Sequence, residues 1–201
     1  MTDDKRRAIL NATLCLLSQR GFHGFSMKQL AERAGVAAGT IYLYFHDKED
    51  LIQQLHQDII EEVGCHLLAD VDDDWPVAQQ YHQIARNLWQ FSLQAPEIML
   101  SKGQFDTMPP DILFGASYES PELLLAAREK VFDPVRPIKE MYQRGRDSQQ
   151  LKNLPEDVLM ALSIEPICNL ARDHCLGMIQ LDEAGLGAVI EACWDAIRYH
   201  H

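Results

Sequence analysis

The stretch Ser26-Met-Lys-Gln-Leu-Ala-Glu-Arg-Ala-Gly-Val-Ala-Ala-Gly-Thr-Ile-Tyr-Leu-Tyr-Phe-His-Asp-Lys48 holds residues whose types and spacing suit one chemistry, the non-covalent reading of duplex DNA. Ser26 is a helix N-cap for Met27 to Ala34, and Gly35 stands where a left-handed residue ends such a helix. A very short second helix follows over about Ala37 to Tyr44. Leu30, Ala31 and Ala34 are apolar on the first helix, Ile41 and Phe45 on the second. Small residues at the crossing allow the close approach that a helix-turn-helix requires. The second helix then turns Ala37, Ala38, Thr40, Leu43 and Tyr44 outward, a face suited to the major groove. Too short to be stable alone, it needs flanking helices as a brace.

Other chemistries find no matching pattern. No nucleophile elbow, P-loop, HExxH or paired-carboxylate spacing occurs, so neither catalytic nor metal-binding residues are expected and no cofactor is implied. Asp173 and His174 stand beside Cys175, but neighbours on a helix point in different directions. The five cysteines, Cys15, Cys65, Cys168, Cys175 and Cys193, are odd in number and contain no CxxC pair. Buried free thiols are expected, with a redox or metal role as the lesser alternative.

Charge is segregated along the chain. The formal net charge is −12, yet the first 48 residues hold seven Lys or Arg and four Asp or Glu, a net of +3 that leaves −15 for the rest. A small basic head on an acidic body would orient the head toward a polyanion. Apolar residues make up 47% and charged residues 24%, as in an ordinary globular protein. No run approaches the ~18 apolar residues of a membrane span. Met1 to Arg7 carry charge in place of an apolar leader, so a cytoplasmic, nucleoid-associated protein without membrane contact is expected.

Nearly everything scans at helical period, which predicts an all-α fold of about nine helices. The first runs from about Asp3 to Gln19 with Gly21 after it, and Asp47 caps a fourth whose stripe is Ile52, Leu55, Ile59, Val63 and Leu67. The helix from about Pro76 to Ala95 is apolar on two sides, with Val77, Tyr81, Ile84, Leu88 and Phe91 on one and Ala78, His82, Ala85, Trp89 and Leu93 on the other. That predicts burial between other helices. A shorter helix starts at Pro96. Met108 to Ser120 reads as a packed loop, and Pro121 to Gln149 as one long helix bent near Pro134 and Pro137. Pro155 starts the next helix, Pro166 predicts a kink in it, and Asp182 opens the last, to Tyr199. Residues 1–48 are expected to form a helix-turn-helix domain and 49–201 a larger helical domain.

Leu30-Ala-Glu-Arg-Ala-Gly-Val36, Ala38-Gly-Thr-Ile-Tyr-Leu-Tyr-Phe45 and Lys48 with Leu51 together resemble the TetR family of bacterial regulators over roughly residues 5 to 55. The resemblance implies that Ser26, Lys28, Tyr42, Tyr44 and Lys48 contact phosphates, which fix register without reading sequence. It implies that Ala37, Ala38, Gly39, Thr40 and Leu43 face base edges. Many relatives carry lysine, arginine or serine at one of the two alanine positions. Methyl groups suit a thymine methyl but make no hydrogen bond, so reading through apolar contacts, Thr40 and DNA shape is expected.

The family also implies a homodimer built from the last two helices of each chain. Leu159, Leu162, Ile167 and Leu170 on one, with Leu186, Val189, Ala192, Cys193, Ala196 and Ile197 on the other, are the candidate interface. A twofold dimer sets two recognition helices ~34–36 Å apart, hence a palindromic double-stranded operator. The larger domain is then expected to hold a small lipophilic ligand near Tyr81, His82, Trp89, Met99, Phe105, Phe114, Phe132, Met141, Tyr142, Asn169 and Asp173, and to release DNA when it binds. Glu191-Ala-Cys-Trp-Asp-Ala-Ile197 is similar to the AcrR type. A DNA-bound structural or cell-division factor on the same fold is an alternative, and activation is as compatible with these residues as repression.

Overall fold

The computed structural model describes residues 2–200, and local hydrogen bonding sets where its helices start and stop. At Ser26 the hydroxyl accepts from the Gln29 amide at 3.3 Å while the Gln29 side-chain oxygen accepts from the Ser26 amide at 2.9 Å. This reciprocal capping box satisfies two otherwise unpaired donors. Gly35, at φ 67°, ends the same helix, a conformation that costs a residue with a Cβ far more. Among the described residues there are eleven α-helices: α1 (Thr2–Arg20), α2 (Met27–Ala34), α3 (Ala38–Ile41), α4 (Lys48–Leu67), α5 (Val77–Gln94), α6 (Pro96–Asp106), α7 (Pro110–Phe114), α8 (Pro121–Val131), α9 (Arg136–Asp147), α10 (Glu156–Cys175) and α11 (Glu183–Ile197). They include no strand, only an isolated bridge between Leu151 and Arg198.

Two more helices form than the expected nine. Pro110 at a first-turn position lets one turn of helix form inside 108–120, where a loop was expected. The expected helix over 121–149 is broken in two, with a 3₁₀ turn at Asp133–Val135 between α8 and α9. Pro134 and Pro137 each lack the amide that would continue the ladder, so the chain resets there. The second helix of the helix-turn-helix is also shorter than expected: only Ala38–Ile41 is helical and 42–44 are turn. Pro166, by contrast, lies within the single helix α10.

The chain divides into two compact units. One runs to Ile60 and takes in Leu100–Asp133; the other takes in Glu61–Met99 and continues from Pro134. In the first, α1 packs on α2 and α2 on α3 around Ile9, Leu17, Leu30, Ile41, Phe45, Leu51 and Ile52, all essentially inaccessible. In the second, α5 packs against α10, α9 and α11. The expected inner face of α5 is buried at Val77, Tyr81, Ile84, Leu88 and Phe91. Its second side is buried at Ala85 and Trp89 only, while Leu93 is half exposed. Ser163 of α10 pins this core: its hydroxyl lies 2.7 Å from the Tyr142 hydroxyl and donates to the Leu159 carbonyl at 2.6 Å.

At Gly145 of α9 an added Cβ would lie 2.5 Å from Leu151 Cδ1 and 3.1 Å from Val77 Cγ1. Leu151 is buried and cannot swing out to solvent. Gly145→Ala is expected to destabilise the protein by about 1–2 kcal/mol, overpacking outweighing the gain in helix propensity. A urea unfolding curve checks this.

Candidate nucleic-acid interface

With Ile41 and Phe45 turned into the core, the rest of the 37–44 segment is left facing solvent. Ala37, Ala38 and Gly39 are exposed, and Thr40 and Tyr44 half-buried. Tyr42 is 56% and Leu43 81% exposed, unusual for large apolar side chains. Ser26 and Lys28 are exposed at the start of α2, the Ser26 oxygen being engaged in its cap. The edge thus offers methyl groups, a leucine, two phenols and one threonine hydroxyl. It suits thymine methyls and sugar edges.

The start of α4 is fixed by carboxylates. Asp47 Oδ1 accepts from the Asp50 amide at 2.8 Å, and Asp50 Oδ2 accepts from the His46 amide at 2.7 Å. The Asp50 amide, then His46, hold the Asp47 carboxyl below its usual value, while hydrogen bonding to Asp47 raises His46.

Lys48, expected to meet a phosphate, has partners within the chain. Its Nζ donates to the carbonyls of Phe22 and Phe25 at 2.5 and 2.6 Å and sits 4.0 Å from the Phe25 ring centroid. Burial lowers its pKa. Its charge is occupied in tying the α1–α2 connection to α4, a partner set decided by the loop path. Arg6 is similarly engaged, donating to Asp58 at 2.7 and 3.1 Å and to Gln54.

The eleven candidate ligand residues divide between the two units. Tyr81, Trp89, Met99, Met141 and Tyr142 are buried in the second. Burial raises the pKa of both tyrosines, keeping them protonated. In that unit His82 lies 2.8 Å from Glu191, Asp173 pairs with Arg172 at 3.0 Å, and Asn169 is exposed on α10. In the first unit, Phe105, Phe114 and Phe132 gather around His56. His56 was not among the expected residues. Its signal was a lone imidazole one turn beyond Ile52, beside Leu55 on the apolar stripe of α4. Two open clefts, lined by His46, Asp47, Glu49, Asp50, Gln53, Asp111 and Ile112, and by Asp70–Trp75, include none of the eleven.

Of the candidate dimer residues, Leu159, Ile167, Leu186, Cys193 and Ile197 are buried in their own chain, because α10 and α11 pack on each other and on α5 through that side. Leu162, Leu170, Val189, Ala192 and Ala196 keep surface open. All five cysteines are free, but Cys65 is exposed where burial was expected. No group of three metal-ligating side chains occurs among the described residues, and no helix there is long and apolar enough to cross a membrane.

Residues 9–55 match the model of the bacterial regulatory proteins of the tetR family, and residues 76–198 match the tetracyclin repressor-like C-terminal domain. An HTH-type transcriptional regulator of Haemophilus influenzae is 31% identical over 197 residues, covering 97% of this chain and 96% of the relative. The class A tetracycline repressor of transposon 1721 from Escherichia coli is 33% identical over 75 residues, 37% of this chain and 35% of that one. A solved TetR-family transcriptional regulator from Vibrio parahaemolyticus superposes with a TM-score of 0.78 at 34% identity, covering 98% of this chain and 100% of the other. Both family models and a relative spanning nearly the whole length agree, and the chain belongs to the TetR family of transcriptional regulators.

Proposed function

We propose that the chain is a homodimeric repressor that binds a palindromic operator in double-stranded DNA and leaves it when a small lipophilic ligand binds. Residues 1–48 serve as the DNA-binding domain and 49–201 as the ligand-binding and dimerisation domain. The observation that carries this is the exposed edge Ala37, Ala38, Gly39, Tyr42 and Leu43 beside Ser26 and Lys28, held out by the buried Ile41 and Phe45. The basic balance of the first 48 residues supports it. Thr40 and Leu43 read base edges; Ser26, Lys28, Tyr42 and Tyr44 set the register.

Dimerisation through α10 and α11 is supported by the apolar surface left on them. Val158 and Leu162 are each 40% exposed, and Ala184, Ala188 and Ala192 are exposed at four-residue spacing. Small side chains in such a row let a partner helix come close. The ligand acts by population shift, favouring a spacing of the two heads that no longer fits successive major grooves.

The test is fluorescence anisotropy with duplexes from upstream of the protein's own gene, across a salt series, with sedimentation of the free protein. A dimer of 22.9 kDa chains with steeply salt-dependent affinity is expected; a monomer, or affinity indifferent to salt, overturns the reading. Leu43→Ala, at a site 81% exposed, is expected to leave unfolding unchanged. It should narrow the gap between matched and mismatched operators about fivefold, roughly the cost of one mismatched base pair. Ala38→Lys should alter base preference and steepen the salt dependence.

A further inference from the structure

His56 is only 4% exposed, and its Nδ1 has no hydrogen-bond partner. Buried polar atoms are rarely left so, and each such exception calls for a reason. Around the imidazole stand Phe105 of α6 at 5.0 Å, Phe114 at the end of α7 at 5.9 Å and Phe132 just after α8 at 5.9 Å, between ring centroids. Burial pulls the pKa of His56 down to about 4, so the ring is neutral at ordinary pH. Two of the walls are thinly held. Phe114 and Phe132 are half-buried, α7 is a single turn, and α8 buries none of its residues.

We propose that His56, Phe105, Phe114 and Phe132 form the effector site, and that it takes a small uncharged aromatic molecule with one hydrogen-bonding group, of the phenol class. This rests on the reading of the chain as a ligand-released repressor. One unpaired nitrogen calls for one polar group on the ligand. Phe114 and Phe132 already meet the imidazole edge-to-face, at 73° and 78°, the arrangement a further ring would adopt. An anionic ligand would meet a neutral imidazole and the Asp106 carboxylate, whose charge bears on His56. A cation would meet aromatic faces, but the Asp106 carboxylate that could balance its charge is half-exposed and already paired with Lys102 at 2.7 Å.

The site also adjoins the head. Next to Phe105 is Gln104, whose Oε1 lies 2.9 Å from the point where a Cβ on Gly21 would be. Gly21 joins α1 to the helix-turn-helix at φ 70°. A ligand that displaces Phe105 acts on α6 one residue from Gln104, whose side chain ends beside that joint. Both belong to the same compact unit.

The probe is 2-naphthol, titrated by calorimetry into the DNA-free full-length protein with histidine labelled in its ring nitrogens. Saturable binding that moves the His56 Nδ1 resonance is expected. His56→Phe and Phe114→Leu should each bind about tenfold more weakly, the loss of one hydrogen bond or one ring contact. Absence of saturable binding, or binding that leaves the His56 resonance and both variants unaffected, overturns the proposal. Anisotropy on duplex DNA forms a separate arm. If no DNA is bound at all, the repressor reading fails while the binding result stands. If DNA is bound and 2-naphthol occupies His56 without weakening it, the effector role fails instead.

Discussion

Replacing Lys48 with methionine is expected to lower the melting temperature by about 5–10 °C, and to weaken DNA binding only as far as the head unfolds. The ammonium donates to two backbone carbonyls, Phe22 at 2.5 Å and Phe25 at 2.6 Å, and lies over the rings of both residues at 4.7 and 4.0 Å. Hydrogen bonds from a charged donor contribute about 1.5–3 kcal/mol each. Partial exposure of the lysine reduces that, so a combined loss of about 2–4 kcal/mol is reasonable. For a chain near 200 residues each kcal/mol shifts the melting temperature by about 2–4 °C. Methionine keeps most of the apolar stem but donates nothing, leaving two carbonyls short of a partner. A lysine spent on phosphate would behave in the opposite way: its loss would leave melting unchanged and reduce the slope of log K against log salt by about one per subunit. Measuring melting and the salt slope on one variant separates the two roles. An unaltered melting temperature with a shallower slope would return Lys48 to the DNA backbone.

Lys48 also marks how far the sequence alone could be read. The boundaries of α2 were legible because Ser26, Gln29 and Gly35 act within a few residues of one another, and local rules suffice for that. Phe45 was legible as core for the same reason. The partners of Lys48 were not, since they depend on where the 21–25 connection lies, a consequence of how α1, α2 and α4 pack. The candidate dimer residues were only partly legible, by a related route. α10 and α11 carry apolar residues on more than one side, and periodicity does not say which side meets the protomer's own core. Leu159, Ile167 and Leu186 went inward; Leu162 and Ala192 did not. His56 escaped notice because its Ile52–Ile59 stripe is complete without it. Its neighbours Phe105, Phe114 and Phe132 come from three later segments that only the tertiary fold brings together.

The same imidazole sets the second large effect, on stability against pH. Its ordinary pKa is 6.5, and burial lowers it to about 4 in the folded chain, with Asp106 opposing weakly. Below pH 6.5 the unfolded chain binds a proton that the folded one refuses until pH falls to about 4. Stability is therefore lost as pH drops through that window, and below it this group adds no further loss. Each unit of difference is worth 1.36 kcal/mol, so His56 removes roughly 2 kcal/mol by pH 5 and roughly 3 once both states are protonated. Two other titrating groups in the same unit do not mimic this. His46 is raised by Asp47, so it gains stability as pH falls, and it lies at the surface where screening keeps the effect small. Asp47 is lowered from 3.8, so its contribution is lost only below the His56 window. Urea unfolding at pH 7 and pH 5, at one protein concentration, measures the difference, and His56→Phe should reduce it by about 2 kcal/mol. Phenylalanine fills the aromatic cluster without a polar nitrogen, so at pH 7 the variant is expected to be at least as stable as the parent. An equal loss between pH 7 and pH 5 in both proteins would mean that water or a rearranged ring already satisfies the buried nitrogen, and that its protonation is not what folding resists.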